Sequence, residues 1–224
     1  MKSSNWLILL LLGLVLYGCA TFRSPIDGLY NQPPLAKADL AKVNVLFIFS
    51  HTRQAFGYDV VPKLTAPFQN GFYEVFNDAM NEFSNVDLFQ TWTITAADVN
   101  NTERYKELDR LKDSCDYFIE MKFKRESSFV KFSIGTLVST MSLTVVPIRY
   151  RYNYFVEVGV HDNSGQLLAT YTRNAHLDTW VQTLLLFVYP FHNDQEKGEE
   201  LYVEAMHDIF RQIEAERILR KEDL

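Results

Sequence analysis

Hydrophobic positions along the chain change period in a way that marks alternating strands and helices. The run Val43-Asn44-Val45-Leu46-Phe47-Ile48-Phe49 is β-branched and aromatic, as a buried strand requires. Ser50 to Leu64, with Gly57 and Pro62, reads as loop. Phe68, Phe72, Val75, Phe76, Ala79, Met80 and Phe83 then recur at spacings of three and four, one apolar helix face opened by Thr65 and Pro67. Val86, Leu88, Trp92 and Ile94 among polar residues mark a second strand. Asn100 and Glu103 resemble a capping box for a short helix through about Asp113, with Tyr105, Leu108 and Leu111 inward. Tyr117, Ile119, Met121 and Phe123 alternate with Glu120, Lys122 and Lys124 in a third strand.

The second half is dominated by a long hairpin. Tyr150, Tyr152, Tyr154, Val156, Val158 and Val160 share one strand face, Asp162-Asn163-Ser164-Gly165 turns, and Gln166 to Trp180 returns. A helix from about Asp194 to Arg220 closes the pattern, with Leu201, Ala205, Met206, Ile209, Phe210 and Ile213 on its apolar face. The expected fold class is α/β, with α+β as the alternative: a mixed β-sheet, flanking helices and a long β-hairpin in a single domain over residues 42–224.

Upstream of that domain the pattern belongs to targeting. Lys2 precedes an unbroken apolar or Gly run of 11 residues, Trp6 to Leu16. At about 1.5 Å per residue this is roughly 16 Å of helix, about half a hydrocarbon core. Residues 1–18 therefore read as a cleaved signal peptide rather than a membrane span. Leu16-Tyr17-Gly18-Cys19 resembles the bacterial lipobox, although Tyr17 is bulkier than the residue usual at its position. The resemblance implies that Cys19 is acylated and becomes the first residue of the mature chain, anchored through its acyl chains. Ala20 stands where Asp would resemble an inner-membrane retention signal, which favours the outer membrane facing the periplasm. Residues 19–41, with Pro25, Gly28, Pro33 and Pro34, read as the lipidated cysteine and a flexible tether.

Two uncharged stretches stand apart. Phe132 to Ile148 has 17 residues, 6 of them Ser or Thr, and Trp180 to Phe191 has 12. The first is too polar and the second too short to span a bilayer as a helix. Both flank the hairpin and are expected at the same end of it. Either they pack together and complete the core, or they expose an apolar interaction surface made of Leu143, Val145, Trp180, Leu184, Leu185, Phe187 and Phe191. The two-residue period within Thr136 to Val146 also fits a strand.

Net charge of −6 in 224 residues argues against a nucleic-acid partner. Catalytic signatures are sparse. His51, His161, His176, His192 and His207 are scattered without metal-ligand spacing, and no G-x-S-x-G, G-x-G-x-x-G or P-loop occurs. No cofactor and no metal are expected. Asp98 with Glu103, His176 with Asp178, and Cys115 are the remaining chemistry-bearing groups; capping, sheet polarity and burial as a small hydrophobe account for each. An enzyme is not expected, with a hydrolase around His176 or Cys115 as the minor alternative.

In element order the domain is similar to the small α/β modules of bacterial periplasmic assembly lipoproteins, such as the TolB amino-terminal domain and the curli-secretion lipoprotein. The resemblance implies a scaffold or accessory subunit with a protein partner in the envelope, and it carries no residues across. A carrier or sensor of a lipid-like apolar ligand is the alternative function.

Overall fold

The computed structural model describes residues 19–32, 40–67, 71–142, 146–181 and 194–220. Its frame is a seven-stranded sheet in the order β1-β7-β6-β5-β2-β3, with β4 also pairing β2. The strands are β1 (Cys19–Arg23), β2 (Val43–Phe56), β3 (Lys63–Leu64), β4 (Val86–Ile94), β5 (Tyr117–Ser128), β6 (Ile148–Asp162) and β7 (Leu167–Val181). The helices are α1 (Phe72–Ala79), α2 (Thr102–Asp113), α3 (Phe129–Met141) and α4 (Asp194–Glu216). The sheet is mixed. β4 and β5 run parallel to β2, which requires the α1 and α2 crossovers, while β5-β6-β7-β1 is antiparallel throughout. This is the expected α/β arrangement in one domain.

Alternation decides which side chains enter the core. Odd-numbered residues Val43 to Phe49 of β2 and Tyr117 to Phe123 of β5, with even-numbered residues Tyr154 to Val160 of β6, including Phe47, Phe49, Ile119, Met121, Val156 and Val158, are buried under α1 and α4. Phe47, Phe76, Phe83 and Phe210 bring four rings together there, with Phe47 and Phe76 edge to face at 4.9 Å between centroids. The opposite face is covered by α2, where Leu108 meets Leu46, Ile48, Trp92, Cys115 and Phe118. The central strands β2 and β5 are thus buried on both sides, which explains the unbroken apolar run at Val45 to Phe49.

Several expectations are corrected. Residues 19–23 are not tether but the edge strand β1, paired with β7 from Cys19↔Val181 to Arg23↔Leu177. The chain stays on the sheet beyond it, through a bridge between Asp27 and Asn174. Ser50 to Phe56 is not loop: β2 continues through it, paired with β5 as far as Phe56↔Ser128. Burial of His51 and Gln54 holds these polar residues in a strand. Helix α1 begins later than its apolar stripe, capped by Gly71 at a φ of 71°, and Phe68 lies outside the described residues. Asn101, not Asn100, caps α2 by accepting a hydrogen bond from the Arg104 N–H.

Candidate functional site

The strand termini converge on one end of the sheet. Register places Phe56, Ser128, Ile148, Val181 and Cys19 at that end, since β2, β5 and β7 end where β6 and β1 begin. Helix α3 leaves from it. The Ser128 hydroxyl accepts a hydrogen bond from the Lys131 N–H and starts the helix. Gly135 lets it approach β6, because a Cβ there would lie 2.9 Å from Ile148 and 3.1 Å from Tyr150. Phe132 and Tyr150 are in ring contact at 4.8 Å.

Phe129–Met141 is helical, so the strand-like alternation from Thr136 does not hold over its described part. The deciding pattern is Val130, Ile134, Leu137, Val138 and Met141, spaced by one, three or four along a helix face. That face is bare. Phe129, Val130, Phe132, Ile134, Leu137, Val138 and Met141 are all exposed, Met141 at 80%, and the only buried residue of the helix is Ser139. Phe56, Tyr58, Val60 and Val61, exposed at the same end, extend the patch, with Tyr58 packed on Phe129 at 5.1 Å. Scattered exposed apolar residues are ordinary, but an unbroken row of them along one helix face, opposite the side that packs on Ile148 and Tyr150, is not.

A basic rim surrounds the patch. One cleft at the base of α3 is lined by Lys131, Arg149 and Arg151, and the other by Arg53, Lys63 and Arg125. Asp178 accepts hydrogen bonds from Nε and Nη2 of Arg151, at 2.7 and 2.8 Å, and Asp59 pairs with Lys63. Two carboxylates against six cations leave a positive surplus in a chain whose net charge is −6.

Of the seven residues expected to form an apolar surface, Trp180 alone falls in the described structure; it is half-buried on β7, paired with Ala20 and Arg149 at the same sheet end. Leu143, Val145, Leu184, Leu185, Phe187 and Phe191 lie outside the described residues, as does the segment 1–18. The exposed surface therefore rests chiefly on α3, whose residues stand out in the sequence only as part of an uncharged stretch. The signal for them is the three-and-four spacing, which a shorter two-residue pattern obscures.

The remaining chemistry-bearing groups do not converge. Cys115 is buried against Phe118 and Leu108, and burial raises its thiol pKa, opposite to what a reactive thiolate needs. His176 lies 3.6 Å from Asp178, whose carboxyl is held below its ordinary range mainly by the Arg151 hydrogen bond. Asp98 closes a capping box with Thr95 and accepts from Arg104 at 2.9 Å. Glu103 pairs with Lys106 on the surface of α2. Among the described residues no group of three His, Cys, Asp or Glu side chains is placed to hold a metal ion, and no helix is long and apolar enough to cross a membrane. The apolar cavity between α4 and the hairpin, beside Tyr154, Val156 and Tyr202, measures about 10 Å³, too little for an acyl chain.

His51 shows a different use of burial. Its ring stacks on Phe123 at 4.7 Å and meets the edge of Phe72 at 4.9 Å, and burial pulls its pKa down to about 4. The unfolded chain takes up this proton near pH 6.5, so between pH 6.5 and 4 it binds more protons than the folded chain does. Stability should be full above pH 6.5 and fall toward pH 4 by about 3 kcal/mol from this group. Urea unfolding across that range should show the slope in wild type and a clearly smaller one in His51→Phe.

No protein-family model and no curated protein matches the chain. Among solved structures it is similar to the lipoprotein GNA1162 from Neisseria meningitidis, at 10% identity over 58% of this chain and 81% of that one, with a TM-score of 0.30. It is also similar to the PelC dodecamer from Paraburkholderia phytofirmans, at 10% identity over 73% and 81% of the two chains, with a TM-score of 0.25. Likeness this faint carries no conclusion about the present chain.

Proposed function

We propose that this is a lipid-anchored protein of the cell envelope, held at the outer membrane and facing the periplasm, that acts by binding as a scaffold or accessory subunit. The supporting observation is the bare apolar helix α3 at the sheet end where β1 begins with Cys19. An exposed apolar helix face suits a partner or a membrane. The lipobox-like residues Leu16 to Cys19 supply the anchor in this reading, and two or more acyl chains are enough for stable attachment.

Cell fractionation and metabolic labelling with a clickable palmitate analogue test the anchor. Wild type should be labelled and sediment with membranes, while Cys19→Ala should be unlabelled and either soluble or unprocessed. An unlabelled wild type would end the reading. The binding role is tested by photo-crosslinking from position 88, where Leu88 is exposed on the edge strand β4. A discrete protein adduct that disappears in Cys19→Ala is expected; absence of any adduct from β4 or α3 counts against a scaffold.

A further inference from the structure

We infer that α3 is a membrane-docking helix: the anchor end of the domain lies directly against the bilayer, with α3 in the acyl boundary and the surrounding cations at anionic headgroups. The inference rests on the proposed anchor at Cys19 for its biological setting, but its physical basis is independent of acylation. β1 starts at residue 19 and is paired with β7 from that residue, so no spacer separates the anchor from the sheet. β7 alone lies between β1 and β6, on which α3 packs. With strands about 4.8 Å apart, the backbone of residue 19 is about 10 Å from that of β6. Acyl chains leaving from there enter a membrane that α3 already faces.

The helix is made for such a medium. It extends about 20 Å, too short to span but long enough to lie in the interface. Two of its hydroxyl groups need no water: Thr136 donates to the Phe132 carbonyl at 2.9 Å and Thr140 to the Thr136 carbonyl at 2.8 Å. Lys131 is the one charged residue in Phe129–Met141, and it sits in the first turn, beside Arg149 and Arg151 in the basic cleft. Trp180, with the Arg149 guanidinium 5.9 Å from its ring, occupies the level where amphipathic aromatics sit in membranes. An apolar centre rimmed by surplus positive charge complements an anionic bilayer better than it complements a second copy of this chain.

Flotation of the unacylated chain from residue 19 onward, carrying Cys19→Ser and retaining every element of the sheet, tests this directly. It should float with vesicles of phosphatidylethanolamine and phosphatidylglycerol, and less with phosphatidylcholine alone or at high salt. Leu137→Asp should lower partitioning about tenfold or more. Lys131→Glu should lower it about fivefold or more on the anionic vesicles alone. Both variants should keep the wild-type melting temperature. Leu137→Cys bearing an environment-sensitive dye should shift to the blue on adding vesicles, while the same dye at Asn163→Cys, in the turn at the far end of the hairpin, should not. No flotation and no shift would overturn the inference. A dye at 137 already shielded without vesicles would also overturn it, because the helix would then be covered by residues 182–193 or by a second copy. Failure of palmitate labelling sinks the anchor and leaves the flotation result standing; failure of flotation does the reverse.

Discussion

Asp208→Ala is expected to lose about 3–5 kcal/mol of folding stability, the cost of leaving a buried guanidinium without its counter-ion. The Arg173 side chain on β7 is 4% exposed and points at α4, where its Nε donates to Asp208 at 2.7 Å and its Nη2 to Gln212 at 2.6 Å. The backbone N–H of Tyr30 donates to both oxygens of the same carboxylate at 3.1 Å. One carboxylate therefore fastens the long helix to the hairpin and to the segment following β1. Against a typical stability of about 5–15 kcal/mol the loss is severe, and it should lower the melting temperature by about 6–20 °C. Destabilisation alone does not prove that the ion pair contributes net stability. A double replacement, Arg173→Met with Asp208→Leu, separates the two effects. It should recover most of the loss, since two apolar groups of similar volume leave no unpaired charge. Single variants that unfold at the wild-type denaturant concentration would show that α4 is not held by this contact.

The same contact illustrates what is legible in the chain and what is not. Alternation in β5, β6 and β7 and the stripe of α4 are properties of consecutive residues, so hydropathy alone reveals most of the sheet and its main helix. β1 is different. It is a five-residue edge strand whose partner lies 158 residues away at Thr21 and Thr179, and a prolyl segment follows it, so no local period distinguishes it from a spacer. The polar end of β2 is hidden for a related reason: His51 and Gln54 are buried by neighbouring elements, which hydropathy does not report. At the candidate site, lack of charge sets residues 132–148 apart, but composition does not tell whether an apolar helix is covered. Its cationic rim is wholly tertiary, since Arg53, Lys63, Arg125, Lys131 and Arg149 come from β2, β3, β5, α3 and β6. Register alone brings them together.

Ile209→Ala should cost about 2–5 kcal/mol, with the melting temperature falling by about 4–20 °C. The apolar stripe of α4 predicts its burial, and Ile209 is 0% exposed, in one cluster with Met206, Phe210 and Ile213. Cavity formation sets the upper part of the range, because α4 is pinned on both sides of the contact and has little freedom to collapse. On one side Asp208 holds Arg173 and Tyr30; on the other, Glu82 bonds His207 at 2.9 Å and Arg211 at 3.1 Å. Ile209→Val, which removes a single methylene, should cost about 0.5–1.5 kcal/mol, and the ratio between the two variants reports how rigid the site is. Neither variant should alter vesicle flotation at temperatures where it is folded, because α4 packs on the face of the sheet whereas α3 stands at its end. If flotation fell in proportion to stability, the bare helix α3 would owe its bilayer contact to unfolding of the domain rather than to the folded surface. An unchanged melting temperature for Ile209→Ala would place that residue at an interface, not in the core.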